Sequence, residues 1–149
     1  MSEDSRENDA GRGSDIIDWY TFDQILEMDE DNRCEFSKSI VYDFFAQAED
    51  TFSEMEEALE TPDLAKLSSL GHFLKGSSAA LGLTKVKNSC EKIQHLGAGK
   101  DETGSTEISD EDNLIQQIVA ILPDLKEEYF EAKKFFEDFY KDSKDVDSS

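Results

Sequence analysis

The sequence predicts an all-α protein, a four-helix bundle with a short N-terminal helix packed on it. Three observations carry that prediction. Apolar residues recur at helical spacing, most clearly as Ile115, Ile118, Leu122, Leu125, Tyr129, Ala132, Phe136 and Phe139, separated by 3, 4, 3, 4, 3, 4 and 3. No stretch alternates with the period of two that a half-buried strand needs. Breakers and capping residues, Thr61-Pro62 and Gly82 among them, punctuate the periodic blocks.

The 149 residues suit one domain, and ten Phe within a hydrophobic content of 37% are enough to build its core. A formal net charge of −21 disfavours nucleic acid and anionic membrane surfaces as partners. No apolar run approaches the roughly 18–20 residues of a membrane span, and the N-terminus is acidic and polar rather than a signal segment. The expectation is a soluble cytoplasmic protein that also enters the nucleus. Cys34 and Cys90 lack metal-like spacing and read as free thiols of a reducing compartment.

Taken in order, residues 1–14 form a polar, acidic, disordered tail. The folded domain spans 15–141, opening on Ile16, Ile17, Trp19 and Tyr20. Phe22, Ile25, Leu26 and Met28 predict a short helix near 20–28, stopped by Asp29-Glu30-Asp31-Asn32. Phe36, Ile40, Val41, Phe44, Phe45, Ala48, Phe52, Met55 and Leu59 predict a helix over 35–60. Thr61 as N-cap and Pro62 at the first helical position start the next, over 62–80. Its seam is Leu64, Leu67, Gly71, Leu74, Ser78 and Leu81, and Gly82 suits its C-terminal cap. Thr84 caps a helix over 85–97 with Val86, Cys90, Ile93 and Leu96 inward. Residues 97–107 read as a flexible loop, and Ser109 with Asp112 as a capping box for the last helix. Pro123 falls inside that helix without breaking its phase, so a kink is expected rather than a reversal. Residues 142–149 form a polar tail.

The window 71–83, GHFLKGSSAALGL, holds one of the two histidines and a single charge, Lys75, in a chain that is 34% charged. At about 100° per residue, His72 falls roughly 130° from the centre of the seam and so faces solvent. Ser68, Ser69, Phe73, Gly76, Ala79 and Ala80 share its half of the helix; none is charged, and all but Phe73 are small. A histidine buried among close-packed small residues would produce a similar composition, but not this angle. Gly76, one turn on, gives up about 1 kcal/mol of helix stability relative to Ala and clears the space beside the ring. Residues 61–100 carry six lysines against two acids, net +4, which leaves −25 for the rest of the chain.

An exposed imidazole, with an ordinary pKa of about 6.5, is a nucleophile that can take up and pass on a phosphoryl group. Lys75, three residues on, can stabilise that group, with Lys85, Lys87 and Lys92 adding a longer-range field. The means to make a phosphoryl donor are missing. Gly71 and Gly76 are spaced like phosphate-loop glycines, but Ser77 stands where the Lys belongs. Phe73, not a carboxylate, follows His72, and Asp29-Glu30-Asp31-Asn32 lacks the glycine of a calcium loop. These residues describe a carrier rather than an autonomous kinase.

GHFLKGSSAALGL resembles the active-site signature of histidine-containing phosphotransfer (HPt) proteins, and most resembles the fungal phosphorelay intermediates. IIDWYTFDQILEMDED, EFSKSIVYDFFAQAEDTF and CEKIQHLG extend the resemblance over about 16–140. It implies that His72 is phosphorylated, on Nε2, that Lys75 stabilises the phosphoryl group, that Gly76 leaves room for the partner, and that Gln94 hydrogen-bonds near the ring. Ile25, Met28, Phe36 and Phe73 match apolar positions on the surface that docks a receiver domain. The implied partners are the receiver domain of a hybrid histidine kinase and those of response regulators. Mg²⁺ is expected on the receiver only, with no cofactor on this chain, and the implied state is a monomer. Ala98 stands where a basic residue can occur in the family, which weakens the positive field. His95 reads as an ordinary surface residue. The competing reading is an adaptor bundle that binds receivers without transferring anything.

Overall fold

The computed structural model describes residues 17–29 and 35–148, with side chains through 141; the expected N-terminal tail and Cys34 lie outside the described residues. Within them the chain forms five helices: α1 (Trp19–Leu26), α2 (Glu35–Glu60), α3 (Leu64–Ala80), α4 (Thr84–Gly97) and α5 (Glu111–Ser148). The four long ones make the bundle, and α1 lies across it as expected. No described helix is long and apolar enough to cross a membrane.

Each helix start is set by an aspartate or by packing, and three of the predicted caps move. Pro62 lies in a turn, not in the first helical position. Asp63 caps α3 instead, its Oδ1 accepting the Lys66 N–H at 3.0 Å, while the Thr61 hydroxyl donates back to the Ala58 carbonyl. Thr84 is the first residue of α4, whose cap Leu83 makes no side-chain hydrogen bond. Asp110, not Ser109, accepts the Asn113 N–H at the start of α5. A carboxylate suits these positions because it complements the positive end of the helix dipole as well as accepting the orphan N–H.

The end of α3 follows the prediction. Gly82 adopts φ +80°, its N–H bonds the Ala79 carbonyl, and the Leu83 N–H reaches the Ser78 carbonyl at 2.9 Å, which is the Schellman pattern. The same glycine ties down α1. The Asp18 N–H donates to its carbonyl at 2.6 Å, and a Cβ at Gly82 would lie 2.6 Å from the Asp18 oxygen. Asp18 also caps α1 by accepting from the Tyr20 N–H and the Thr21 hydroxyl.

The core is aromatic on the α2–α5 side. Tyr129, Tyr140, Phe22 and Phe136 are its largest fully buried side chains. Trp19 packs edge-on to Phe22 and Phe135 and seats α1 on the C-terminal half of α5. The buried stripe of α5 departs from the predicted heptads at both ends, with Leu114 and Tyr140 buried where Ile115 and Phe139 were expected. A helix of 3.6 residues per turn drifts against a 3.5 repeat, and over 38 residues the drift moves each end by one position. The helix runs through Pro123 without a break and continues to Ser148, past the boundary expected at 141. Pro123 and Val119, whose carbonyl the missing N–H would have bonded, are both exposed, so water can take that carbonyl. On α2, Ser37, Thr51 and Ala58 are buried, whereas Phe36, Ile40 and Leu59 stand further out than their spacing predicted.

The segment 97–107 is a tight hairpin rather than a flexible loop. Lys100 and Glu107 form an antiparallel bridge, and the Asp101 N–H donates to the Thr106 carbonyl at 2.8 Å. Asp101 Oδ1 accepts from the N–H groups of Thr103 and Ser105 and from the Thr103 hydroxyl. Those bonds hold its carboxyl below the usual carboxylate range, the Thr103 hydroxyl contributing most.

Candidate functional site

His72 sits in the middle of α3 with its side chain exposed, as the helical phase predicts. The seam behind it is buried at Leu67, Gly71, Leu74 and Ser78. The outer face is as bare as its composition suggests: Ser69, Phe73, Gly76, Ala79 and Ala80 are all exposed. A Cβ built at Gly76 meets no atom within 4 Å. A partner can therefore approach the imidazole from that side without displacing anything.

Two other glycines position the site from behind. A Cβ at Gly71 would fall 2.8 Å from the Cys90 carbonyl oxygen and 2.9 Å from the Gln94 nitrogen. One at Gly97 would fall 2.6 Å from the Ser68 nitrogen. These contacts are too close for any side chain, so α3 and α4 touch backbone to backbone. The Ser68 hydroxyl crosses the same seam to the Gln94 carbonyl at 2.9 Å. The outcome is that Gln94 lies against the residue preceding His72. Its Oε1 is buried with no hydrogen-bond partner among the described residues, and a buried acceptor left free in this way costs about 1–3 kcal/mol.

Lys75 is half-buried, and its Nζ lies 3.7 Å from Glu91 Oε2 on α4. The rest of the lysine-rich stretch is less free than the sequence implies. Lys66 faces Glu54 of α2 at 3.9 Å. Lys85 and Lys92 act on Glu128 of α5, whose carboxyl is nevertheless pushed above its ordinary value, mainly by burial. Acids from other helices thus cover much of the positive charge that stands clear in the linear sequence.

Of the expected docking residues, Met28, Phe36 and Phe73 are exposed, at 61%, 42% and 48%, and Ile25 is half-buried against the core. Asp29 holds this edge together. Its carboxylate accepts the Ser37 N–H at 2.8 Å and the Ser37 hydroxyl at 2.7 Å, and the Tyr140 hydroxyl in turn donates to Ser37 Oγ at 2.8 Å. A groove of about 260 Å³ runs between α2 and α3, lined by Ile40, Asp43, Phe44, Gln47, Ser77 and Ala80.

His95 is not an ordinary surface residue. Its Nδ1 lies 2.8 Å from the Glu102 carbonyl, and its ring covers Gly104, so it clasps the hairpin after α4. Cys90 is fully buried, and burial first, then the charge of Glu128, raises its thiol far above the ordinary value, which disfavours the reactive thiolate. Sequence reasoning missed Glu91, Asp29 and the close-contact role of Gly71 and Gly97. The two glycines did leave a signal, since a glycine inside a helix is costly unless something needs the space. The carboxylates left none, because their partners are remote in sequence or look like ordinary surface charges.

Comparison with known proteins bears on this arrangement. Residues 39–128 match the Hpt domain. Over 136 residues, 91% of this chain, the sequence is 46% identical to Multistep phosphorelay regulator 1 of Schizosaccharomyces pombe, and the match covers 46% of that protein. It is 52% identical over 97 residues, 65% of this chain, to Phosphorelay intermediate protein YPD1 of Candida albicans, covering 51% of it. The chain thus spans about half the length of the curated relatives it matches. The fold resembles Saccharomyces cerevisiae Ypd1 as solved with the receiver domain of its downstream response regulator Ssk1. That match has a TM-score of 0.74 and 32% identity, covering 85% of this chain and 95% of that one.

Proposed function

The chain belongs to the Hpt domain family, and on that premise we propose that it is a phosphorelay intermediate: His72 accepts a phosphoryl group from the aspartate of one receiver domain and passes it to the aspartate of another. The observation that carries this reading is an exposed imidazole on a cleared helix face, with Lys75 one turn away and open space at Gly76. The donor receiver belongs to a hybrid histidine kinase and the acceptors to response regulators. We assign the protein to the cytoplasm, with access to the nucleus.

In the forward step the Nε2 lone pair of neutral His72 attacks phosphorus. The N–P bond forms as the acyl O–P bond breaks, and its electron pair returns to the receiver carboxylate. The Nδ1 proton stays on the ring. Delivery reverses the sequence, the second carboxylate attacking phosphorus while the N–P electrons return to Nε2. The Lys75 ammonium neutralises the phosphoryl oxygens from this chain's side; Mg²⁺ bound by the receiver would supply positive charge from the other. We assign Gln94 Oε1, a buried acceptor with no partner among the described residues, the role of accepting from a ring N–H of His72. Phe73 follows His72 where an adjacent carboxylate base would stand, so direct transfer from ATP is not expected.

Incubation with a phosphorylated receiver domain is expected to label the protein in an acid-labile, base-stable form. His72→Gln should abolish the label and His95→Gln should leave it. Label that persists without His72 would sink the proposal. Receiver binding with no label on the intact chain would favour the non-transferring adaptor.

A further inference from the structure

Between 61 and 100 the chain carries two carboxylates, Asp63 and Glu91. Asp63 is occupied in capping α3. Glu91 points at Lys75, with Nζ and Oε2 3.7 Å apart and the side chains 25% and 44% exposed. That separation is beyond hydrogen-bond length, so the pair is a loose charge contact rather than a lock. Lys75 lies on the same helix as His72, three residues on, where a flexible four-carbon stem can carry the ammonium to either side. Before transfer, Glu91 is the anion paired with Lys75 among the described residues; after transfer, the phosphoryl group is a second one, with three acceptor oxygens and more charge.

We propose that Glu91 is a positioning residue for phosphoryl transfer. It holds the Lys75 ammonium beside the unmodified His72 and competes with the phosphoryl group for it, and so sets how far transfer onto His72 proceeds. The inference rests on the carrier reading of His72. The bond-making step is unchanged: N–P forms, acyl O–P breaks, and the electron pair goes to the receiver carboxylate. What Glu91 alters is the free energy of the two end states. With Glu91 present, phosphohistidine gains Lys75 only by drawing the ammonium away from that contact. The competition holds the equilibrium toward the receiver, as a carrier that must release its cargo requires.

The test mixes the full chain with a phosphorylated receiver domain and measures the equilibrium ratio of label on the two proteins. Glu91→Gln keeps the size and helix propensity of a half-exposed position, so the fold is retained, which thermal melting monitored by circular dichroism verifies. The ratio is expected to shift toward phosphohistidine roughly two- to fivefold, the range an exposed ion pair supports, with KM for the receiver unchanged. In a Lys75→Ala background the Glu91→Gln shift should vanish, because Glu91 acts through Lys75. Glu131→Gln, which makes the same change in net charge on exposed α5, should shift nothing. An unaltered ratio in Glu91→Gln overturns the proposal. So does an equal shift without Lys75, an equal shift from Glu131→Gln, or a change confined to KM. Failure of the carrier reading looks different, since the wild-type chain would then take up no label.

Discussion

Along α3 and α4 the bundle is closed by glycine and serine; along α2 and α5 it is closed by aromatic rings. Gly71 and Gly97 bring the first pair into backbone contact, and Ser68 spans the seam. On the other side Phe44, Phe45 and Phe52 of α2 surround Tyr129 of α5. Tyr129 donates to Glu49 at 2.6 Å, Lys133 donates to the same oxygen at 2.8 Å, and Lys126 pairs with Glu56. The aromatic side joins its helices through large rings and the polar groups at their tips. The glycine side joins them backbone to backbone, and so brings the Gln94 and Glu91 region of α4 up to the histidine helix. Rigidity and access are thus divided between opposite faces of one bundle.

The sharpest way to break that division is to make the same substitution at two glycines of α3 only five residues apart. Gly71→Ala should cost about 1–3 kcal/mol of overpacking, because its new carbon meets α4 backbone that cannot move aside. Gly76→Ala should do the opposite, stabilising the protein by up to about 1 kcal/mol, since open space surrounds it. Urea unfolding of the two variants reads the difference directly, and equal effects would erase the distinction between the faces. A longer side chain at the second site, Gly76→Gln, should leave stability near wild type and slow transfer from a receiver.

A second test bears on the aromatic side. Tyr129→Phe removes one of the two donors to Glu49 and should cost about 1 kcal/mol. Its cost should also depend on pH. The Lys133 and Tyr129 hydrogen bonds hold the Glu49 carboxyl below its ordinary value, so its contribution is present above the unfolded-state pKa and lost as pH falls through the folded one. The gap between wild type and variant should therefore narrow in acid, and urea melts at several pH values would detect a gap that does not.

The smallest effect is expected where α4 meets α5. Glu128 accepts the Ser89 hydroxyl at 2.7 Å, yet burial raises its carboxyl above the ordinary value. A raised carboxylate favours the folded state below its unfolded pKa and penalises it as pH rises through the folded pKa. Glu128→Gln keeps an acceptor for Ser89 and removes that penalty. Its Tm should rise slightly at neutral pH, by less than Tyr129→Phe lowers it, because solvent screens this half-exposed group, and should match wild type in acid. A drop in Tm at neutral pH would mean that Lys85 and Lys92 matter more to Glu128 than its burial.

Much of this was legible beforehand for identifiable reasons. Leu67, Leu74 and Leu81 recur with the period of an α-helix, so the buried face of α3 and the exposure of His72 follow from arithmetic on residue numbers. Phe36 shows the limit of that arithmetic. Its spacing puts it in the seam of α2, but the first turn of that helix buries Ser37 instead, against Asp29 and Tyr140, and leaves Phe36 42% exposed. Caps were harder to read, because Thr61 and Ser109 offer the same local chemistry as Asp63 and Asp110, and α4 starts after Leu83 with no side-chain cap at all. His95 was misread because its partner is a backbone carbonyl, which no residue type advertises.

The sequence by itself determined the helical class, the number and phase of the helices, the outward histidine and its bare surroundings. Each of these follows from local periodicity and side-chain type along one chain segment. The tertiary structure alone decided which charges meet: that Lys75 faces Glu91, that Asp29 clamps Ser37, and that acids from α2 and α5 cover the lysines around the site. Coulomb and hydrogen-bond energies depend on distance in space, and distance in space is what a linear order of residues leaves open until the helices pack.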